Sequence, residues 1–340
     1  MLLKRLTEAA GVGGNEHEIR SVIKAMLTDQ ISDWQGDMLG NLIAVQNRNA
    51  AGPKVMLAAH MDEVGFMIMG IDRTGLLRFR AVGGVDSRVL VSKVVRVGND
   101  KIPGVIGAKA IHLQKPAERE QALGYDQLYI DIGAKSKEEA EKYVKLGDPV
   151  VFATEYEEMG NGMAKAKAFD DRAGCGVLIE ALKEQYRIPV FGAFTVQEEV
   201  GLRGAGVAAY GINPDIAIVL EGTTASDVTG TQEHGYSTTL GQGPALTFMD
   251  ASVVSDKKLL QRVLAVAEKH GIKTQYKRTV TGGSDAGRIS LTREGIPTIV
   301  ISVPTRYIHS PVSMINLNDF DQAVRLVKAV LRDIEEGGWN

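Results

Sequence analysis

The stretch IPVFGAFTVQEEVG, residues 188–201, runs through nine nearly all-apolar positions, 188–196, and then delivers two adjacent glutamates, Glu198 and Glu199. The apolar run reads as a strand inside a sheet. Two carboxylates directly after such a strand repel each other unless a cation or a proton lies between them. Their adjacency points to two jobs, one on a metal ion and one facing a water molecule. The alternation around this stretch sets the architecture. A helix over about 172–185 precedes it and a short helix near 202–210 follows. Beyond these come a strand IAIVLE (216–221), a helix 256–270, a strand 273–279, a helix 285–293, a strand IPTIVIS (296–302) and a helix 318–335. Helices between buried strands make a layered α/β domain.

On the N-terminal side, residues 15–29 repeat apolar positions at helical spacing behind Asn15 as the expected N-cap, and strands follow at 41–46 and 54–60. From about 66 to 164 the texture changes. FMIMGID, LLRFRAV, KVVRVG, IPGVIGA, QLYIDIG and DPVVFAT are short β-like runs punctuated by Gly, Asp and Asn, and only 137–145 looks helical. The expectation is an all-β unit over 66–164, inserted into an α/β domain made of 1–65 and 165–340.

The chain has 340 residues, a length that fits about two domains. With 39 basic and 42 acidic residues the net charge is −3, so nothing in the charge balance favours nucleic acid or an anionic membrane as the main partner. One cysteine, Cys175, excludes a disulfide within the chain and a cysteine-based zinc knuckle. No apolar run reaches membrane-spanning length, and Lys4, Arg5 and Glu8 break up the apolar start of the chain. The expected location is the cytoplasm.

Four further segments carry His and carboxylates. AAHMDEVG (58–65) ends a buried strand on His60, with Asp62 two residues on to hold the second ring nitrogen of a ligating imidazole. KAFDDRAGCG (167–176) sets Asp170 and Asp171 before an Ala/Gly-rich helix, where one can cap and the other bind metal. IAIVLEG ends on Glu221, and RYIHSP (306–311) sets His309 after an apolar strand. Taken singly, each has an ordinary structural reading as a cap, a turn or a solvated strand end. Taken together, four of the five segments follow interior strands, so they converge on the rim where α/β sheets build their sites. His and carboxylates without thiolates suit zinc, cobalt or manganese, and five ligands with one shared carboxylate are enough for two ions. His17, His112, His234 and His270 are read as non-ligands, and Cys175 as a packed thiol.

AAHMDEVGFMI, KAFDDRAGCG, QEEVGLRGA, GGSDAG and RYIHSP, in this order over residues 60–311, resemble the tetrahedral aminopeptidase family of dinuclear metallopeptidases, which includes glutamyl and deblocking aminopeptidases. The resemblance implies that His60 and Glu221 bind one metal and Glu199 and His309 the other. It implies that Asp170 bridges them, Glu198 is the general base and Asp62 orients His60. It further implies a cis peptide between Asp170 and Asp171, a PDZ-like dimerisation role for the inserted unit, peptide substrates, and a homo-oligomer of up to a twelve-subunit tetrahedron. Two departures stand out: Glu221 where many relatives carry Asp, and GGSDAG where many read GGTDAG. One alternative is a glycoside hydrolase using Glu198 and a second carboxylate, since some relatives carry a cellulase label. It leaves His60 and His309 unexplained and has few aromatic platforms to draw on. A second alternative is a non-catalytic peptide-binding assembly protein working through the β unit. It leaves Glu198, the spare base, without a job.

Overall fold

A computed structural model describes residues 2–339, the side chain of Glu118 excepted. Four parallel strands form the centre of a large sheet, in the order Val190–Thr195, Val55–His60, Ile216–Thr224, Thr298–Arg306. Antiparallel neighbours extend it on both sides: Leu42–Gln46 and Asp33–Gly36 beyond the first, Ser313–Asn316, Met163–Ala166 and Glu157–Met159 beyond the last. Val55–His60 and Val190–Thr195 are buried at every position, as the near-continuous apolar runs in the sequence require.

Helices cover both faces. Phe169–Leu182 and Leu317–Gly337 close one apolar layer through Leu178, Ile179, Leu326 and Val330 against Leu57, Ile218 and Ile301. Arg203–Ile212 and the short Ala286–Ile289 close the other through Ala205, Ala209 and Ile289 against Ala58, Val219 and Val300. The side chains alternate between these layers along each strand, which is the two-residue period of a pleated strand.

Between Val55–His60 and Met163–Ala166 the chain builds a closed six-stranded barrel: Gly65–Ile71, Leu77–Val82, Leu128–Asp131, Ile102–Ala108, Val94–Val97 and Pro149–Phe152. It has its own core, with Phe66 edge-on to Phe79 and Phe152 at ring separations of 4.9 and 5.3 Å. The expected end of the β unit at 164 falls inside Met163–Ala166, and both that strand and Glu157–Met159 pair into the large sheet. Texture alone misplaces this edge because 157–166 is as β-like as the barrel; what claims it for the sheet is its ladder with Ser313–Asn316, some 150 residues downstream in the sequence.

Other differences are local. The helix expected over 15–29 covers His17–Met26, with Glu16 rather than Asn15 at its N-cap position; the Asn15 side chain hydrogen-bonds to His17 instead. The strand expected at 273–279 shrinks to Gln275–Tyr276, and the helix at 285–293 to Ala286–Ile289. Among the described residues no helix is long and apolar enough to cross a membrane.

Candidate metal centre

Parallel register brings the expected residues together. Thr195 pairs with His60 and Glu221 with Ser302, so the carboxyl ends of the four central strands reach the same rim. His60 is the last residue of its strand, Glu198 and Glu199 follow Thr195 within four positions, and His309 follows Arg306 within three. Glu221 departs from the strand-end pattern: its strand continues to Thr224, and its side chain enters the site from the middle of the ladder.

Asp170 is the centre of the arrangement. Its Oδ1 lies 3.2 Å from Nε2 of His60 and its Oδ2 lies 3.1 Å from Nε2 of His309. Nε2 of His60 is also 3.0 Å from Glu221 Oε1, and Nε2 of His309 is 3.3 Å from Glu199 Oε2. Two half-sites therefore share one carboxylate. The Asp170–Asp171 peptide is cis, as the resemblance implied. Asp170 rests against Gly222, where even a methyl group would meet its Cα at 3.0 Å; glycine is what lets the two segments approach.

Asp171 also comes within reach of His60 and Glu221, but its oxygens are engaged elsewhere. They accept from the backbone N–H of His60 at 3.1 Å and of Gly174 at 3.0 Å. It acts as the cap that the adjacent-aspartate pattern allowed, leaving Asp170 to face both histidines.

Asp62 does more than expected. The carbonyl of Asp62 lies 3.1 Å from Nδ1 of His60, while its carboxylate is 3.6 Å away. A carbonyl oxygen only accepts, so Nδ1 carries a proton and Nε2 is the nitrogen turned toward the site. The carboxylate instead accepts from the backbone N–H of Glu198 at 2.9 Å and of Glu199 at 3.1 Å. Asp62 thus fixes His60 and the glutamate pair with separate atoms. Gln197, Leu202 and His309 around the site hold left-handed backbone angles, φ +57°, +58° and +57°, the kind of sparsely populated conformation that clusters at functional sites.

The electrostatics ask for positive charge. Burial, reinforced by Glu221, Asp285 and Glu199, pushes Glu198 up to about 11 against the opposing pull of His60. Burial and Asp170 push Glu199 up to about 8, and burial with Asp170 and Asp285 pushes Glu221 up to about 7. Burial alone would lower His309, yet Asp170 and Glu199 hold it up at about 9. Glu199 Oε1 and Glu221 Oε2 are buried without a hydrogen-bond partner, a costly state for a carboxylate oxygen. Oxygen and imidazole donors with unspent lone pairs, spaced about a shared carboxylate, fit divalent cations.

The centre opens into a cavity of about 560 Å³. Glu198 and Glu199 line it, with Leu202, Thr247, Lys277 and Ile308 among its walls, and none of its lining residues is a Trp, Tyr or Phe. His17 and His234 are exposed and lie away from this cavity, as do His112 and His270. Cys175 is buried and its thiol donates to the carbonyl of His60, so it packs rather than reacts.

Three features of the site went unread in the sequence. Asp285, in GGSDAG, is buried with Oδ1 unpartnered while Oδ2 accepts from Thr195, the neighbour of His60 across the sheet. Behind the ligands, Glu63 pairs with Lys167 at 2.6 Å and with Arg172 at 3.4 Å, all three buried. Lys277 faces the cavity. Asp285, Glu63, Lys167 and Arg172 all lie inside motifs quoted above, which was the available signal; Lys277 lies in none and looks like an ordinary surface cation in sequence.

The profile of the M42 glutamyl aminopeptidase family matches residues 40–326. A putative aminopeptidase of Acetivibrio thermocellus is 41% identical over 96% of each chain. The lysyl aminopeptidase of Pyrococcus furiosus is 34% identical, covering 98% of this chain and 97% of its own length. Among solved structures, the Pyrococcus horikoshii TET1 peptidase, described as assembling into a tetrahedron or a large octahedral shell, superposes with a TM-score of 0.85 at 36% identity, over 97% of this chain and 98% of that one.

Proposed function

This chain belongs to the M42 glutamyl aminopeptidase family and is an aminopeptidase, and we propose that it works with two divalent cations held in the two half-sites around Asp170. His60 and Glu221 would hold one, His309 and Glu199 the other, with one oxygen of Asp170 on each. The observation that carries this reading is the split of Asp170, Oδ1 toward His60 and Oδ2 toward His309. Zinc or cobalt suits this donor set best, and manganese fits it too.

Such a pair of cations supplies Lewis acidity, lowering the pKa of water and stabilising charge on a carbonyl oxygen. The remaining work falls to the chain. Glu198, its Oε2 3.9 Å from Nε2 of His60, stands at the mouth of the centre and is the group placed to take a proton from water and return it to the leaving amine. Asp62 holds the Glu198 backbone so that the side chain stays aimed. Burial of His60 and Glu221 keeps bulk water from competing at the reacting carbonyl. The glycoside hydrolase alternative finds no support here: the cavity lining offers no aromatic platform, and the two histidines that meet at Asp170 have no part in sugar hydrolysis.

We also take the barrel to be the PDZ-like self-association unit of a homo-oligomer acting on peptides, a dodecamer or a smaller closed assembly. Val94 and Val105 are cross-strand partners on its outside, both exposed, near the exposed Val91, Ile111 and Leu113. An apolar patch of this kind is ordinarily covered by another protein surface. The deciding experiment on function measures metal per chain beside hydrolysis of aminoacyl p-nitroanilides. We expect about two ions per chain by elemental analysis and loss of turnover on chelation, restored by cobalt, zinc or manganese. Full activity in metal-free protein would overturn the mechanism.

A further inference from the structure

Glu198 sits on the turn that joins the strand Val190–Thr195 to the helix Arg203–Ile212. Side chains from distant segments take the successive N–H groups at the start of this turn. Val196 N donates to Asn41 Oδ1 at 3.0 Å and Gln197 N to Glu16 Oε1 at 3.2 Å. Glu198 N and Glu199 N donate to the two oxygens of Asp62 at 2.9 and 3.1 Å. Asn41 also holds the far end of the turn, its amide donating to Gly204 O at 2.9 Å beside the backbone bond from Gly204 N to Val196 O at 3.0 Å. Asp62 acts on the Glu198 backbone directly. Glu16 acts one residue earlier, where the chain changes direction.

That residue is strained. Gln197 has φ +57°, a left-handed conformation disfavoured for any side chain with a Cβ unless its surroundings hold it. Its carbonyl accepts from Arg203 N at 3.2 Å. Its N–H is the backbone group that remains, and Glu16 receives it.

Glu16 is otherwise hard to explain. It occupies the N-cap position of His17–Met26, where Ser, Thr, Asp and Asn are the preferred residues. Among the described residues its carboxylate takes no N–H of that helix. At 4% exposure it is a buried carboxylate, which is costly unless its hydrogen bonds do something. Those bonds come from Gly14 N at 2.8 Å, which orients the group, and from Gln197 N. The segment that carries Glu16 is tied to the one that carries Asp62: Glu63 N donates to Gly11 O at 2.9 Å, and Gly11 N to Glu63 Oε1 at 3.1 Å. Both carboxylates therefore grip the turn from one frame.

We propose that Glu16 is a positioning residue for hydrolysis: by holding Gln197 in its left-handed conformation it sets the direction in which Glu198 leaves the strand, and so aims the general base at the metal centre. The proposal rests on Glu198 being that base.

Two substitutions separate reach from charge. Glu16→Gln keeps a carbonyl oxygen at the same reach and loses the charge. Glu16→Asp keeps the charge, suits an N-cap better and is one methylene too short for Gln197. The measurement is kcat and KM on the aminoacyl p-nitroanilide that the wild-type protein cleaves fastest, with metal per chain on the same samples. Glu16→Asp should lose about 10- to 100-fold in kcat at unchanged KM and metal content, the size expected when a reacting group is misplaced by about 1 Å. Glu16→Gln should stay within about threefold of wild type, since a neutral acceptor still makes the bond. Glu16→Asp added to Glu198→Gln should cost nothing further, because the group it aims is gone; a general defect of structure would lower the residual rate again. Wild-type kcat in Glu16→Asp overturns the proposal, and so does a Glu16→Gln protein as slow as Glu16→Asp. Loss of metal in Glu16→Asp would move the effect to Glu199 and overturn it too, as would a further drop in the double variant. Wild-type kcat in metal-replete Glu198→Gln would instead overturn the assignment of the base.

Discussion

Replacing Glu63 by Gln should be among the most destabilising isosteric changes available to this protein. Both oxygens of Glu63 contact Nζ of Lys167, at 2.6 and 2.7 Å, and Oε1 also accepts from Gly11 N and Arg172. Lys167 is 3% exposed and Arg172 fully buried, the latter also donating to the carbonyls of Met61, Leu6 and Ala9. One anion thus offsets two buried cations. Removing it without changing volume leaves charge uncompensated, at a cost of about 3–5 kcal/mol. For 340 residues that corresponds to a fall in melting temperature of about 4–7 °C. The pH dependence gives a second signature. Burial, opposed by Glu63 and reinforced by Arg172, already lowers Lys167 from 10.5 to about 8. Between those values the unfolded chain binds more protons at this site, so its contribution makes stability rise with pH across that window. Loss of Glu63 depresses Lys167 further and widens the window downward. Glu63→Gln should therefore recover more stability than wild type between pH 7 and 9.5. Scanning calorimetry of metal-free protein at both pH values, at equal protein concentration, measures the effect. Adding Lys167→Met should return part of the loss. A melting temperature within 1 °C of wild type and an unchanged pH response would refute the idea that Glu63 compensates this cluster.

Three further outcomes are expected. Glu198→Gln should keep its metal content and lose about 10²- to 10⁴-fold in kcat, the range for one general base; elemental analysis beside turnover checks it, and near-normal turnover in metal-replete protein would remove Glu198 from the role. Asp170→Asn should lose more metal than Asp171→Asn, because only Asp170 turns its oxygens to both histidines; two ions per chain in Asp170→Asn would contradict the bridge. Val105→Glu should reduce the sedimenting mass by placing charge on the exposed apolar barrel face, whereas an unchanged assembly would put the interface on the α/β layers.

The convergence of the candidate metal-binding residues was legible in the sequence because they ride on strands whose burial is itself a strong signal. A run such as VMLAAH leaves few places for His60 except the end of a central strand, and parallel register then brings His60, Glu199 and Glu221 to one rim. Read from the residues alone, the DD pair offered a cap and a candidate ligand without saying which was which; only the resemblance put Asp170 between the metals. That distinction lives in the backbone turn that points Asp171 at the N–H groups of His60 and Gly174 and Asp170 at the histidines. Likewise, the sequence suggested that Asp62 holds His60, whereas the fold gives that work to the Asp62 carbonyl and uses the carboxylate on Glu198 and Glu199. Residue type and spacing restrict the candidates; orientation comes from backbone turns at Asp62 and Asp171 together with contacts made over more than 100 residues of separation.

Lys277, Lys167 and Arg172 show a different limit. Lysine and arginine are mostly solvated, so in sequence each carries a strong expectation of exposure. What buries Lys167 and Arg172 is the packing of the first helix, Leu2–Glu8, and the loop after it against the start of Phe169–Leu182, where the carbonyls of Leu6 and Ala9 await donors. What buries Lys277 is a two-residue strand, Gln275–Tyr276, joined to the edge of a three-residue one, elements too short for periodicity to reveal. The two cases differ in how the charge is resolved. Around Glu63 the chain supplies its own counterion and the result is rigidity behind the ligands. At Lys277 it supplies none, and the side chain lines the cavity instead.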